Sequence, residues 1–362
     1  MAERSRVYVA PTAKSLASLQ KITNDAKAAS KITELVFLAE ILDSKRMNAL
    51  TEREYMVVCE DAVADGKIQL PSDFECNTAS LKASWQRYRD VVAEHQVQRD
   101  GTKETLKTCL LKLVSLHTVR VQNKIDSPGL NEDPFYLAPA RDVHKSPDGG
   151  TRLAFRFASD RNLVMNGVNH LFEALAECEK PIKTLNIGNG LSDQAEYGIN
   201  GVGCYSAFPP LRQLAPKLTH LTLSAKDCDT GRYYERTASG EWREFFRAAC
   251  NLQYLRIYPE LMQDGTIWRS NEHGTVLGLV LAHHTFPHLH TFKVIGFWTR
   301  PTNVRAVWLN AFLRRHQDSI RHLELSGVLV VNWYSSKGTA ATMAKSIRMM
   351  KSTLSLQTAT MI

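Results

Sequence analysis

The chain of 362 residues contains no C-x-x-C motif, and its seven cysteines are scattered along the sequence. This distribution argues against a disulfide framework and against a zinc module, and it suits a reducing compartment. No apolar run approaches the roughly 18 residues of a membrane-spanning helix, and residues 1–6 are not followed by the apolar segment of a secretion signal. We therefore expect a soluble intracellular protein, cytoplasmic or nuclear, without a membrane partner.

The motifs of common enzyme chemistry are also missing. No G-x-S-x-G occurs. The glycine-rich segment 198–203 does not directly follow a strand, and Pro209 and Pro210 interrupt what comes next, so it offers no helix N-terminus to a phosphate. In the one dense histidine group (283, 284, 288 and 290), the two adjacent histidines at the helix end cannot share a helix face, unlike the i, i+4 pair of a zinc site. No constellation supplies a nucleophile, a base and an orienting group together. We expect no enzyme activity, no cofactor and no metal.

A short apolar phrase, L-x-x-L-x-L, is what the chain has in abundance. Its three apolar positions recur six times after helix-like stretches, at 116/119/121, 182/185/187, 218/221/223, 252/255/257, 289/292/294 and 320/323/325. A weaker seventh copy stands at 32/35/37. A helix and a strand of this size cannot bury their own apolar face, so stacked copies are needed to form a continuous core.

Helix alternating with strand predicts an α/β fold with a parallel sheet. The repeated phrase favours a curved solenoid, with strands on the inner, concave face and helices outside. We divide the chain into a helix-rich entry part with the first strands (1–122), an irregular insertion rich in proline and glycine (123–150), and regular repeat units with a C-terminal helix (151–362). Further helices are expected at 47–64, 85–97 and 337–350, and a further strand at 153–157.

The pattern resembles the leucine-rich-repeat region of fungal F-box proteins. The similarity is carried by Arg6-Val-Tyr-Val, by Pro11-Thr-Ala-Lys-Ser-Leu-Ala and Lys31-Ile-Thr-Glu-Leu-Val-Phe, and by Trp308-Leu-Asn-Ala-Phe-Leu-Arg-Arg-His with Ile320-Arg-His-Leu-Glu-Leu. The resemblance implies a leucine-rich-repeat horseshoe and a role in recognising substrates for ubiquitination. The family's F-box segment has no counterpart before Arg6, so a ubiquitin-ligase adaptor would be a partner only if an F-box came from elsewhere.

Residues between and after the apolar positions of the phrase should face away from the core, because side chains alternate along a strand. Stacked strands would place these residues on one surface, where tyrosine and arginine are favoured as binding hot spots. The predicted binding residues on this concave face are Arg120, Asn186, His220, Thr222, Tyr254, Arg256, Tyr258, Lys293, His322 and Glu324.

The function that we expect is that of a non-enzymatic protein-interaction module, with an unknown protein partner on the concave face. The net charge of +8 leaves an alternative, a basic solenoid that binds RNA or another polyanion. The basic residues are spread along the chain, which makes nucleic acid the less favoured partner. An enzyme is the third interpretation.

Overall fold

The computed structural model describes residues 5–11, 13–38, 101–122, 161–187, 208–225, 231–259, 276–296, 302–331 and 356–361, with a few residues between 51 and 89 and at 347–348. Eleven strands lie in these ranges: β1 Ser5–Val9, β2 Ile32–Leu38, β3 Thr118–Gln122, β4 Thr184–Ile187, β5 His220–Ala225, β6 Tyr254–Pro259, β7 Thr291–Ile295, β8 Thr302–Arg305, β9 His322–Ser326, β10 Val328–Val331 and β11 Thr358–Met361. The helices are α1 Ala13–Asn24, α2 Ala26–Lys31, α3 Thr102–Lys112, α4 Arg161–Glu177, α5 Phe208–Leu214, α6 Gly231–Ala248, α7 Val276–His283 and α8 Ala306–Arg315.

Nine of these strands form one parallel sheet in the order β1-β2-β3-β4-β5-β6-β7-β9-β11. Within this sheet, each strand therefore lies beside the strand of the same sheet that precedes it in the chain. The remaining two strands, β8 and β10, pair in parallel as a separate two-stranded sheet. Each copy of the apolar phrase, including the seventh, contains one strand of the large sheet, and each strand except β2 begins two residues after the first apolar position.

The apolar positions of the phrase align across the strands, and this alignment fixes the register. One continuous row of paired residues is Val7, Leu35, Val119, Leu185, Leu221, Leu255, Phe292 and Leu323. All eight side chains are buried. A shift of one residue in any strand would turn its apolar set toward solvent, so burial specifies the register strongly.

The helices cover the apolar side of the sheet. Along the chain, α3 packs on α4, α4 on α5, α5 on α6, α6 on α7, and α7 on α8. Their apolar residues join those of the strands in a single hydrophobic core, in which the largest fully buried side chains are phenylalanines such as Phe172, Phe245 and Phe292. The opposite side of the sheet carries the polar positions of the strands.

The prediction of a leucine-rich-repeat horseshoe from the sequence is wrong. The described residues form an α/β structure with nine parallel strands in one sheet and helices, and a second small sheet interrupts the series after β7. The physical reason for the error is that L-x-x-L-x-L encodes only a buried strand that follows a helix. Any parallel sheet with helix crossovers satisfies that pattern, so the phrase does not distinguish a horseshoe from other α/β architectures.

Several predicted segments lie wholly or largely outside the described residues. They are the helices at 47–64, 85–97 and 337–350, the insertion at 123–150, the strand at 153–157 and the glycine-rich segment at 198–203. The large sheet contains strands from both sides of the insertion, because β3 pairs with β4. No helix in the part of the chain that the structure describes is long and apolar enough to cross a bilayer.

Candidate functional site

The polar side of the large sheet carries two rows of side chains that the register aligns from strand to strand. The first polar row is Arg6, Glu34, Thr118, Thr184, His220, Tyr254, Thr291, His322 and Thr358. The second polar row is Tyr8, Val36, Arg120, Asn186, Thr222, Arg256, Lys293, Glu324 and Thr360. Neighbouring strands in a sheet lie about 4.8 Å apart, so side chains in one row stand close enough for their neighbours to make contact.

The structure places the sequence-predicted residues on this polar side. His220, Tyr254 and His322 belong to the first row, and six others belong to the second. Tyr258 lies one step beyond the second row, opposite Ser224. The predicted set is not one site, because Arg120 on β3 stands three strands from Arg256 on β6, a separation of about 14 Å at the usual strand spacing.

At the β1–β3 end of the rows, the single carboxylate of Glu34 lies between two arginines, Arg6 and Arg120. The Glu34 side chain is only 3% exposed, and its carboxylate accepts a hydrogen bond from Arg6 Nε at 2.8 Å. The other carboxylate oxygen lies 3.1 Å from a terminal nitrogen of Arg120, within ion-pairing distance although not aligned as a hydrogen bond. Two hydrogen bonds raise the pKa of Arg6: the larger effect comes from the Tyr8 hydroxyl and the next from Glu34. This end of the sheet therefore carries one net positive charge shared by three groups.

At the β7–β9 end, Lys293 donates a hydrogen bond to Glu324 at 2.6 Å across the strand pair. Both side chains are partly buried, at 29% and 28% exposure. The charge of Lys293 is thus matched within the second row. A pair of this kind holds both side chains in place even where its net contribution to stability is small.

Between these two pairs stands Arg256, whose charge has no counterpart. No carboxylate lies within ion-pairing distance of its guanidinium among the described residues. Its Nε atom is buried and has no hydrogen-bond partner there. The guanidinium carbon lies 4.7 Å from the ring centroid of Tyr258, a cation–π contact. Burial raises the pKa of the Tyr258 hydroxyl, so this ring stays neutral beside the arginine.

Three rings occupy the first polar row next to Arg256. His220 and Tyr254 stack with centroids 5.7 Å apart and planes 21° from parallel. His322 stands two strands from Tyr254, and its Nδ1 lies 2.9 Å from the Thr358 hydroxyl. Burial lowers the pKa of His220, which keeps this imidazole uncharged at neutral pH. The centre of the polar side thus combines one unmatched cation with aromatic rings and threonine hydroxyls.

The predicted set of binding residues leaves out Arg6, Glu34 and Thr291, which the structure places on this surface. Arg6 and Glu34 form the ion-pair cluster with Arg120, and Thr291 separates the rings of Tyr254 and His322. The signal for Glu34 was present in the sequence, because it lies between the first two apolar positions of the seventh phrase. Treating that copy like the other six would have placed its carboxylate beside Arg120.

The comparisons with known proteins assign no family. No protein-family model matches the chain, and no curated protein matches it. Among solved structures, it is similar to a D-psicose 3-epimerase crystallised in the presence of D-fructose, with 10% identity, 97% of this chain and 99% of that chain covered, and a TM-score of 0.18. A TM-score this low carries no argument about fold or reaction.

The function expected from the sequence, a leucine-rich-repeat interaction module, is therefore corrected. No family model and no curated protein that would support such a module matches the chain. The resemblance to fungal F-box proteins, the link to ubiquitination and the protein partner on the polar side remain predictions. The absence of enzyme activity also remains a prediction. What the structure adds is the unmatched guanidinium and its surroundings.

Proposed function

We propose that this protein binds a small anionic ligand on the polar side of its large sheet, with Arg256 as the principal contact. Uncompensated guanidinium groups that are partly withdrawn from water attract carboxylates and phosphates, because their planar N–H donors match the geometry of these anions. The neighbouring hydroxyl of Thr222 and the amide of Asn186, the next two residues along the second polar row, add neutral hydrogen-bonding groups.

The observation that carries this proposal is the difference between three cations on one surface. Arg120 shares the Glu34 carboxylate with Arg6, and Lys293 is matched by Glu324, at 3.1 Å and 2.6 Å. Among these three, only Arg256 has no carboxylate within ion-pairing distance in the described part of the chain. The Nε atoms of Arg120 and Arg256 are both buried without a hydrogen-bond partner, so that feature does not separate the two arginines. An anionic ligand would supply the missing counter-charge at the terminal nitrogens of the Arg256 guanidinium.

The test is a titration of the protein with inorganic phosphate and with acetate, followed through the arginine Nε–H signals in ¹⁵N-correlated NMR spectra. We expect the Arg256 signal, identified by its loss in Arg256→Gln, to shift saturably with both anions. Hydrogen bonds to charged groups contribute about 1.5–3 kcal/mol. Arg256→Gln should therefore weaken binding by at least about tenfold.

Arg247→Gln is the matched control, because it removes the same charge from the far side of the sheet. Arg247 lies on α6, exposed, and pairs with Glu244 at 2.7 Å. This variant should bind both anions as the wild type does. Equal affinities of the wild type and Arg256→Gln would refute the proposed function.

A further inference from the structure

The first polar row has a gap at Thr291. Tyr254 precedes it and His322 follows it in the register, so a small side chain stands between two rings. The strands that carry these rings are two steps apart, about 9.6 Å at the usual spacing. A flat ring in van der Waals contact with a ring on each side needs about 7–8 Å. The space above Thr291 thus has the width of one additional aromatic ring.

Among the described residues, the contacts of both flanking rings lie on the side away from this space. Tyr254 stacks on His220, on the side away from Thr291. His322 is held within 2.9 Å of the Thr358 hydroxyl, also on the side away from Thr291. Thr291 itself is partly exposed and forms the floor between them.

Arg256 lies at the right distance from this space to hold an anionic group on such a ring. It lies on β6, one strand from Thr291 on β7 and two residues further along. With about 4.8 Å between the strands and about 6.6 Å along the strand, the diagonal between the two backbone positions is about 8 Å. A hydrogen bond takes up about 2.9 Å of that diagonal, and the ring with its attached anionic group spans most of the rest.

We propose that the space above Thr291, between Tyr254 and His322, binds a planar aromatic ring whose directly attached anionic group pairs with Arg256. The ligand class is therefore an aromatic carboxylate, or an aromatic ring of the same dimensions with an equivalent anion. This inference rests on the proposed function, because Arg256 supplies the anion contact in both. It adds the requirement for a flat ring.

The experiment compares benzoate with cyclohexanecarboxylate, which carries the same charge on a ring that is not flat. Dissociation constants come from the same NMR titration of the full chain. We expect benzoate to bind about fivefold more tightly to the wild type, as stacking between aromatic rings would give. Thr291→Phe, which fills the gap, should abolish that preference, and Thr291→Ser, which leaves it open, should retain it.

A second variant keeps the test decisive if Thr291→Phe fails to fold. Tyr254→Leu removes one flanking ring but retains an apolar side chain, and it should also lose the preference for benzoate. Equal binding of the two carboxylates to the wild type would overturn this inference and leave the proposed function standing. Failure of both carboxylates to bind, or equal binding by Arg256→Gln, would overturn the proposed function itself.

Discussion

At the scale of single residues, His316 joins the end of α8 to the loop before β7. Its Nδ1 donates to the Phe312 carbonyl and its Nε2 accepts from the Phe286 amide, each at 2.8 Å. Because the two ring nitrogens have opposite roles, the imidazole is neutral with its proton on Nδ1. A second proton on Nε2 would point at the Phe286 N–H and break that hydrogen bond.

The nearby His284 is buried as well, and both histidines make folding sensitive to acid. Burial lowers the pKa of His284 to about 4, with smaller effects from His283 and three arginines, and burial is also the main cause of the lowered pKa of His316. The unfolded chain takes up protons near pH 6.5, whereas the folded chain does not. The stability that the neutral histidines contribute is therefore complete above about pH 6.5, and it is lost as the pH falls from there toward 4.

We predict that the free energy of unfolding decreases between pH 6.5 and pH 5, by up to about 1.4 kcal/mol per pH unit for each buried histidine. His316→Asn keeps a donor near the position of Nδ1 but does not titrate, so its pH dependence should be shallower than that of the wild type. Urea denaturation at several pH values measures both slopes. His288→Asn is the control, because that side chain lies in solvent. Identical slopes for His316→Asn and the wild type would contradict this account.

At the scale of elements, neighbouring helix–strand units are joined by side chains that reach back to the end of the preceding unit. Lys180 donates to the carbonyls of Leu111 and Leu113 at the end of α3, at 3.3 Å and 3.2 Å. Arg315 donates to the Leu281 carbonyl of α7 at 2.6 Å. The last carbonyls of a helix have no partner within it, and cations are favoured there by the helix dipole. These contacts therefore supply donors to the last carbonyls of one helix and hold the next helix–strand unit against it.

We predict that Lys180→Met lowers the free energy of unfolding by about 1–2 kcal/mol, because it leaves two carbonyls without a donor in a buried position. The loss is limited because a charged ammonium group is unfavourable in a buried position, and the substitution removes that charge. Burial accordingly lowers the pKa of Lys180. The matched control is Lys183→Met, three residues away and exposed. Its effect should stay within about 0.5 kcal/mol in the same urea denaturation series. Equal stability of the two variants would mean that the contacts of Lys180 do not hold the units together.

At the scale of the whole molecule, the sequence predicted the strands and their direction from a local signal. Leu221 and Leu223, for example, alternate with polar residues, and both are buried in a central parallel strand. The global assignment failed because the phrase contains no information on how the sheet continues beyond each helix. The pairing of β8 with β10, which lies outside the series, has no counterpart in the repeated pattern.

The candidate site could be predicted only in part, for a similar reason. Alternation along each strand was enough to place Tyr254, Arg256 and Tyr258 on the polar side. The matching of charges depends on the register between strands, which brings Lys293 to Glu324 and leaves Arg256 unmatched. The gap at Thr291 likewise exists only because Tyr254 and His322 align on either side of it. Neither feature can be read from one strand alone.

The most direct measurement of the central claim, that an unmatched Arg256 makes the polar side a ligand site, is a crystal structure of the protein with 4-bromobenzoate, located by the anomalous scattering of bromine. We predict a bromine peak above Thr291, between the rings of Tyr254 and His322, with the carboxylate about 2.9 Å from a terminal nitrogen of the Arg256 guanidinium. Crystals of Arg256→Gln should lack that peak. A fully occupied ligand elsewhere in wild-type crystals, with Arg256 free of any anion, would contradict the account.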